Sequence, residues 1–139
     1  MRKEFQIPSD LSRVRVASDG VMRFLRPLDL NEAVVFDVRL CLEEALVNAM
    51  KYGNNLQKHL AVELTVEYDK HSILIEVKDH GHGFDLKGIA DCTHEDNLLK
   101  NHGRGVFLIH QLMDDVRYNK KGNGLLMVKF LKKENKKVA

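Results

Sequence analysis

The stretch of sequence that decides the fold is Glu43-Glu44-Ala45-Leu46-Val47-Asn48-Ala49-Met50-Lys51-Tyr52-Gly53-Asn54. It closes a segment of about 29–52 whose hydrophobic periodicity predicts one long helix, which the glycine then ends. Glu44 and Asn48 are four residues apart and therefore share one face of that helix. Apolar residues flank this face on both sides, so we expect the carboxylate and the amide to line a cleft. The alternative is a buried pair that is hydrogen-bonded for structural reasons alone.

A carboxylate at the end of a strand is the second informative feature. Alternation predicts a strand with one apolar face, formed by Ile73, Ile75 and Val77, and Asp79 continues that face. A carboxylate on a buried face must be hydrogen-bonded or paired, because burying an unpaired charge is costly. Gly81 and Gly83 follow, and glycines allow sharp turns and the close approach of a flat ligand. Asp79 is therefore a candidate acceptor for an exocyclic amine such as that of adenine, with a strand-ending turn as the alternative.

A glycine pair at a predicted helix start is the third feature. Gly103-Arg104-Gly105 precedes Val106, and the pattern predicts a helix from about Gly105 to Asp114. The N–H groups and the dipole of a helix start are a suitable site for phosphate, to which Arg104 adds charge. The spacing matches neither a P-loop nor the three-glycine dinucleotide fingerprint, so this feature is weak by itself.

The remaining segments are assigned from periodicity and turn residues. They are a first strand around Phe5 and Ile7, a helix from Ser9 or Asp10 to about Arg26, a strand over 60–68, a polar loop of about 84–102, and a closing hairpin of Val116–Asn119 and Leu125–Leu131. The long loop is interpreted as a lid over a ligand. The order βααββ-loop-αββ predicts an α/β sandwich, with one mostly antiparallel sheet and helices on one face.

Two helix boundaries are predicted from local signals. Asp29 and Glu32 resemble a capping box that opens the long helix. The first helix is expected to place Leu11, Val14, Ser18, Val21 and Leu25 on one face and to end at Pro27. Arg13 lies off that apolar stripe, so its side chain should project outward. It is a candidate contact for a protein partner, or an ordinary solvated charge.

Composition limits the class of protein. The 139 residues, 44% hydrophobic and 30% charged, suit one globular domain over 1–139. No apolar run approaches the roughly 18 residues of a membrane helix, and no secretory signal is expected, because the stretch from Met1 to Gln6 is not apolar. Cys41 and Cys92 form no disulfide framework, which favours a cytoplasmic location. The lysine-rich tail lacks interleaved aromatic residues, so no nucleic-acid partner is expected.

The three motifs together resemble those of a known superfamily. Glu44-x-x-x-Asn48, Asp79-x-Gly81-x-Gly83 and Gly103-x-Gly105 look like the N, G1 and G2 boxes of the Bergerat-fold ATPases, the group that includes gyrase, histidine kinases and MutL. Within that group the sequence most resembles the bacterial anti-sigma-factor serine kinases, through residues 43–54, 77–85 and 103–109. The resemblance covers nearly the whole chain.

This resemblance implies a Mg²⁺-ATP site and a protein substrate. Asn48 would bind the metal, Glu44 would orient or deprotonate the attacking hydroxyl, and Asp79 would read adenine. The other nucleotide-binding candidates are Gly81, Gly83, Gly103, Arg104, Gly105 and Val106. The family phosphorylates a serine of an anti-anti-sigma protein and holds a sigma factor as a homodimer.

Two departures and two alternatives accompany the resemblance. The family's last strand begins Gly-Thr-Thr, whereas Leu125 and Leu126 follow Gly124 here, which puts a secondary adenine contact in doubt. Tyr52 replaces a common histidine. A non-catalytic module that binds ATP and switches a partner is the main alternative. A metal enzyme is the other, but its possible ligands, His80, His82, Cys92 and His94, lack the spacing of a zinc site.

Overall fold

The computed structural model describes residues 1–81 and 101–132, with the side chains of the second range described from residue 105 onward. Five strands form one antiparallel sheet in the order β1-β2-β3-β5-β4. The strands are β1 (Arg2–Pro8), β2 (Ala61–Tyr68), β3 (Ser72–Lys78), β4 (Asp115–Tyr118) and β5 (Gly124–Phe130). The predicted α/β sandwich is confirmed.

Within the described residues, three α-helices cover one face of this sheet. They are α1 (Val14–Phe24), α2 (Glu32–Asn48) and α3 (Asn101–Leu112). Short 3-10 turns lie at Leu11–Arg13 and Arg26–Leu28, and a π-helical turn at Ala49–Gly53 extends α2. No helix of the described residues is long and apolar enough to cross a membrane.

The core lies between α2 and the sheet. Leu42 and Leu46 of α2 are fully buried, as are Leu64 and Ile75 in the middle of the sheet. Burying each such side chain contributes about 1.5–3 kcal/mol to folding. Because α2 is anchored along its length, the backbone of the polar residues on its flank is held in place.

The predicted start of α2 was wrong by two residues. Asn31, not Asp29, caps the helix, since its side-chain oxygen accepts a hydrogen bond from the N–H of Val34 at 2.9 Å. Asp29 adopts a left-handed conformation (φ 53°) and its N–H donates to the carbonyl of Arg26, which closes the preceding turn. Because Asp29 takes part in the chain reversal after Pro27, it does not cap α2. The next polar residue along the chain, Asn31, forms the cap instead.

The first helix also differs in detail from the expectation. Asp10 caps the 3-10 turn that precedes α1, whereas Ser9 donates its hydroxyl to the carbonyl of Leu60. Leu11 lies in that turn, outside the phase of α1, and is 44% exposed instead of buried. The α-helix ends at Phe24, and Pro27 lies in the second 3-10 turn.

The helix after the glycine pair begins earlier than predicted. α3 runs from Asn101 to Leu112, so Gly103 and Gly105 are its third and fifth residues. Its last turn lies beside β5, where Lys129 Nζ donates to the carbonyl of Leu112 at 3.0 Å. The predicted lid of about 84–102 falls outside the described residues, apart from the two residues that open α3.

Candidate functional site

A narrow pocket lies between the end of α2, the end of β3, the start of α3 and the β4–β5 turn. Its walls include Ala45, Asn48, Val77, Asp79, Val106 and Leu125. The cavity has a volume of about 20 Å³, which is close to the room that one water needs. Apolar walls with a few convergent polar groups are typical of small-molecule sites.

Glu44 and Asn48 of α2 face α3 at Gly105. A Cβ atom at Gly105 would lie 2.6 Å from Oε2 of Glu44 and 3.3 Å from Nδ2 of Asn48. Only a residue without a side chain allows this approach, so Gly105 leaves both polar groups room at the helix crossing.

Both groups lack partners within the described part of the chain. Asn48 is 7% exposed, yet its amide forms no hydrogen bond with any residue in the ranges 1–81 and 105–132. Glu44 is half-buried and forms no hydrogen bond or ion pair in the same ranges. Buried polar groups are nearly always hydrogen-bonded, so the partners of this pair lie beyond the residues of the ranges 1–81 and 105–132.

Asp79 is a buried carboxylate in the wall of the same pocket. It is 6% exposed, and Oδ1 accepts a hydrogen bond from the N–H of Gly81 at 2.8 Å. Among the described residues, Oδ2 has no donor. Burial raises the pKa of the Asp79 carboxyl above its ordinary value, although the bond from Gly81 opposes the shift.

Two glycines make room for this carboxylate. A Cβ atom at Gly53 would overlap the carboxyl group of Asp79, and one at Gly81 would overlap the carbonyl of Gly53. The π-helical turn at Ala49–Gly53 thus brings the end of α2 against the end of β3. Such turns are frequent at functional sites.

Known proteins resemble this chain in sequence and in fold. Residues 7–129 match the histidine kinase-like ATPase domain family. The chain belongs to this family. The match covers α1, α2, the whole of β2 and β3, α3, β4 and nearly all of β5.

Individual relatives of this histidine kinase-like ATPase domain are named serine-protein kinase RsbW. The chain is 32% identical over 104 residues to the protein of Listeria monocytogenes, covering 68% of this chain and 65% of that one. It is 27% identical over 138 residues to the protein of Oceanobacillus iheyensis, covering 94% and 87%. The chain thus spans 65% of the length of the Listeria relative. The resemblance inferred from the motifs is confirmed.

A solved structure shows the same fold. The crystal structure of the RsbU and RsbW domains of Rv1364c from Mycobacterium tuberculosis superimposes with a TM-score of 0.63 at 11% identity, covering 99% of this chain and 35% of that one. At this identity the likeness concerns the fold alone.

The structure brings most of the predicted site residues of this ATPase domain together. Glu44, Asn48 and Gly105 meet at the α2–α3 crossing, and Asp79 and Val106 line the pocket. Their roles toward a ligand stay predictions. Gly83 lies outside the described residues, as do three of the four residues considered for a metal enzyme, His82, Cys92 and His94.

The glycine pair of α3 occupies a different place from the one predicted. The N–H groups without intrahelical partners belong to the first turn of a helix. Gly103 is in that turn, but Gly105 lies beyond it, because the helix begins at Asn101. Gly105 matters for its missing side chain instead, and Arg104 is described here only through its backbone.

Several residues of the site escaped the sequence analysis. Gly53 was interpreted only as the end of a helix, and neither Asn54 nor Asn123 was assigned a role in the site. In the structure Asn54 is 1% exposed and Asn123 bonds to the backbone of Asp79. Their position was the one indication in the sequence: Gly53 and Asn54 directly follow the helix that carries Asn48, and residues next to a site residue can belong to the same site.

The replacement of the family's two threonines affects the pocket at one position only. Leu125 lines the pocket, whereas Leu126 pairs with Glu76 of β3 and Arg117 of β4 on the opposite face of the sheet. Leu125 adds an apolar side chain and no hydrogen-bonding group. Among the described residues that line the pocket, Asp79 is the carboxylate.

A neutral aromatic pair lies beside the same wall. Nε2 of His110 is 3.2 Å from the hydroxyl of Tyr118, which lines the pocket. Burial lowers the pKa of His110, so the imidazole is neutral near pH 7. The pair therefore adds no positive charge near Asp79.

Proposed function

We propose that this protein is an ATP-dependent serine kinase that phosphorylates an anti-anti-sigma protein and binds a sigma factor. The observation that carries the proposal is the pair of Glu44 and Asn48, which lack partners in the described residues at the α2–α3 crossing. The names of the relatives support it, since they are called serine-protein kinases. A cytoplasmic location fits the use of ATP.

The donor set fits Mg²⁺-ATP. Asn48 offers a buried amide without a partner in the described ranges, and an amide oxygen is a suitable ligand for Mg²⁺. Asp79 would accept a hydrogen bond from the adenine amine, and the first turn of α3, with Gly103, would bind phosphate. When bound, the metal neutralises phosphate charge.

Glu44 is the proposed general base. It lies one helical turn before Asn48, so a hydroxyl directed at the terminal phosphate would come within reach of its carboxylate. Glu44 would hold the serine hydroxyl and accept its proton as the hydroxyl oxygen bonds to the γ-phosphorus and the bond from that phosphorus to the bridging oxygen of the departing ADP breaks.

Separate substitutions test these two roles. Glu44→Gln keeps the size of the side chain and should lower phosphate transfer by roughly 100-fold or more, while ADP affinity stays nearly unchanged. Asn48→Ala should weaken Mg²⁺-ATP binding as well as transfer. The measurements are phosphate incorporation into an anti-anti-sigma protein and calorimetric titration of nucleotide.

Glu43→Gln is the matched control. Glu43 is the adjacent residue, but it accepts a hydrogen bond from Ser18 of α1 at 3.0 Å and lies on another face of α2. This variant should transfer phosphate like the wild type. A wild-type protein that binds ATP and its partner but transfers no phosphate would instead be the non-catalytic switching module.

The partner surface is proposed to include Arg13. Arg13 is exposed at the start of α1, as predicted, and Val16 beside it is 64% exposed. Arg13→Ala should weaken capture of the sigma factor or anti-anti-sigma protein without changing ADP affinity. Arg23→Ala, at the other end of α1, is the control. Equal partner binding by the two variants and the wild type would remove Arg13 from the interface.

The proposed homodimer would use the sheet face opposite the helices. Half-buried Leu74, Leu126 and Val128 lie on this face beside residues of both charges, among them Lys78 and Glu76. A face with both charge signs can pair with a second copy of itself. Light scattering should give twice the monomer mass, and Leu126→Lys should give the monomer mass.

A further inference from the structure

The backbone of Asp79 is held by one residue of the β4–β5 turn. The N–H of Asp79 donates to the carbonyl of Asn123 at 2.9 Å, and Nδ2 of Asn123 donates to the carbonyl of Asp79 at 3.2 Å. Asn123 therefore fixes both backbone polar groups of the carboxylate-bearing residue.

Asn123 is itself held by a second asparagine of the turn. Nδ2 of Asn119 donates to Oδ1 of Asn123 at 2.8 Å, and Oδ1 of Asn119 accepts the N–H of Asn123 at 3.0 Å. The N–H of Asn119 also donates to the carbonyl of Gly124 at 3.0 Å. These bonds leave the side chain of Asn123 little freedom.

Asn54 holds the same segment from the other side. Its Oδ1 accepts the N–H of His80 at 2.7 Å, directly after Asp79. Its Nδ2 lies within hydrogen-bond distance of Oγ of Ser9 at 3.0 Å and of the carbonyls of Leu60 and Ala61 at 3.2 Å. The buried amide ties the strand end to β1 and β2.

We propose that Asn123 and Asn54 are positioning residues that direct the Asp79 carboxylate at the 6-amino group of a purine. This deepens the proposed function and rests on its nucleotide site. Asp79, His80 and Gly81 each have their N–H bonded, to Asn123, Asn54 and the Asp79 carboxylate respectively. The backbone that carries the carboxylate is thus fixed from both sides.

Selectivity for the base should depend on this bracing. Leu125 offers no polar atom to the base, so discrimination between a 6-amino and a 6-oxo purine depends on the direction of the Asp79 carboxylate. Buried polar groups that must match a ligand's donors give strong discrimination. A small change in the direction of the Asp79 carboxylate should therefore reduce the ratio of the affinities for 6-amino and 6-oxo purines more than it reduces either affinity.

The test compares ADP with inosine diphosphate, both with Mg²⁺, by calorimetric titration. The wild type should prefer ADP. Asn123→Ala keeps the backbone bond to Asp79 but removes the side-chain bond, and it should reduce the ratio of the two affinities about five-fold, as expected for one hydrogen bond. Asn54→Asp keeps an acceptor for His80 but loses the donors, and should also reduce the ratio.

Control variants separate positioning from stability. Lys121→Ala changes an exposed residue of the same turn and should leave the ratio unchanged. Asn119→Ala frees the side chain of Asn123 without removing it and should reduce the ratio in the same direction, which keeps the test valid if Asn123→Ala fails to fold.

The outcomes discriminate between the inference and the proposed function. A wild type that binds neither nucleotide overturns both. A wild type that prefers ADP, with Asn123→Ala and Asn119→Ala keeping that preference, overturns the positioning roles and leaves the nucleotide site standing. Weaker binding of both nucleotides by the same factor would also overturn the inference, because a merely structural role predicts it.

Discussion

The two ends of the site are built in opposite ways. At the end proposed to bind the nucleotide base (the base end), the strand end with Asp79 is held by hydrogen bonds from Asn54 and Asn123 and enclosed by Gly53. At the end proposed to bind phosphate (the phosphate end), Glu44 and Asn48 have no partners among the described residues. The difference teaches that the chain itself fixes the position of Asp79, whereas Glu44 and Asn48 depend on partners beyond the described residues.

Adding one carbon at Gly53 should displace the carboxylate at the base end, and we expect the resulting loss of ADP affinity to be the largest effect. In Gly53→Ala the new Cβ would overlap the Asp79 carboxyl group, which has to rotate or move. ADP affinity should fall by roughly 10- to 100-fold, the range expected for a lost hydrogen bond to a charged group. Titration calorimetry measures the loss, with circular dichroism to verify folding. Affinity close to that of the wild type would mean that Asp79 does not contact the base.

Adding one carbon at Gly105 should affect the phosphate end alone. The nearest atom to the new Cβ is Oε2 of Glu44, the free end of a flexible side chain, so the protein should fold. Phosphate transfer should fall about ten-fold or more because the carboxylate of Glu44, the proposed general base, is displaced. ADP affinity should change less than about three-fold. Kinase assays and titrations on Gly105→Ala measure both. Equal losses of both properties would show that the two ends are not independent.

A decrease in pH should affect the base end of the site, because it protonates the carboxylate of Asp79. Its pKa is raised, so the ionised acceptor is present above that raised pKa and is lost as pH falls through it. ADP affinity should therefore begin to fall above the ordinary aspartate pKa of about 3.9. In the absence of nucleotide, the stability contribution has the opposite sign: the free energy of unfolding from this group decreases as pH rises through the folded-state pKa. Asp79→Asn should remove both dependences relative to the wild type.

A glycine remote from both ends of the site provides a control substitution, for which we expect the smallest effect and no change in ADP affinity. A Cβ atom at Gly20 would lie 3.4 Å from Cε1 of Phe5, an acceptable contact inside α1. Gly20→Ala should stabilise the protein by about 0.5–1 kcal/mol through helix propensity. Thermal unfolding should show a higher Tm with unchanged ADP affinity. A lower Tm would mean that the contact with Phe5 is tighter than it looks.

The sequence predicted the fold well because periodicity reports which face of each element is buried. The alternation of Ile73, Ile75 and Val77 gave β3 and the burial of Asp79, and the spacing of Glu44 and Asn48 gave their shared face. All of these depend on local geometry. Helix boundaries were predicted less accurately. At the start of α2, the expected capping residue, Asp29, lies instead in the preceding chain reversal.

The bracing of the site could not be predicted from local signals. Asn54 and Asn123 are 69 positions apart and meet the same strand end only after the sheet forms. Likewise, Gly105 was interpreted as a phosphate contact, whereas its close approach to Glu44 depends on how α3 packs on α2. Such contacts between distant parts of the chain have no periodic signature.

The small volume of the pocket has a kinetic consequence. Sites for small molecules usually enclose about 300–1,000 Å³, whereas this cavity measures about 20 Å³. A purine base is larger than this cavity, so the proposed binding of a nucleotide would require the described walls of the pocket to move apart. The apparent affinity would then be the intrinsic affinity reduced by the fraction of molecules in which the walls are apart. That motion of the protein, and not diffusion to its surface, would then limit the rate of nucleotide entry.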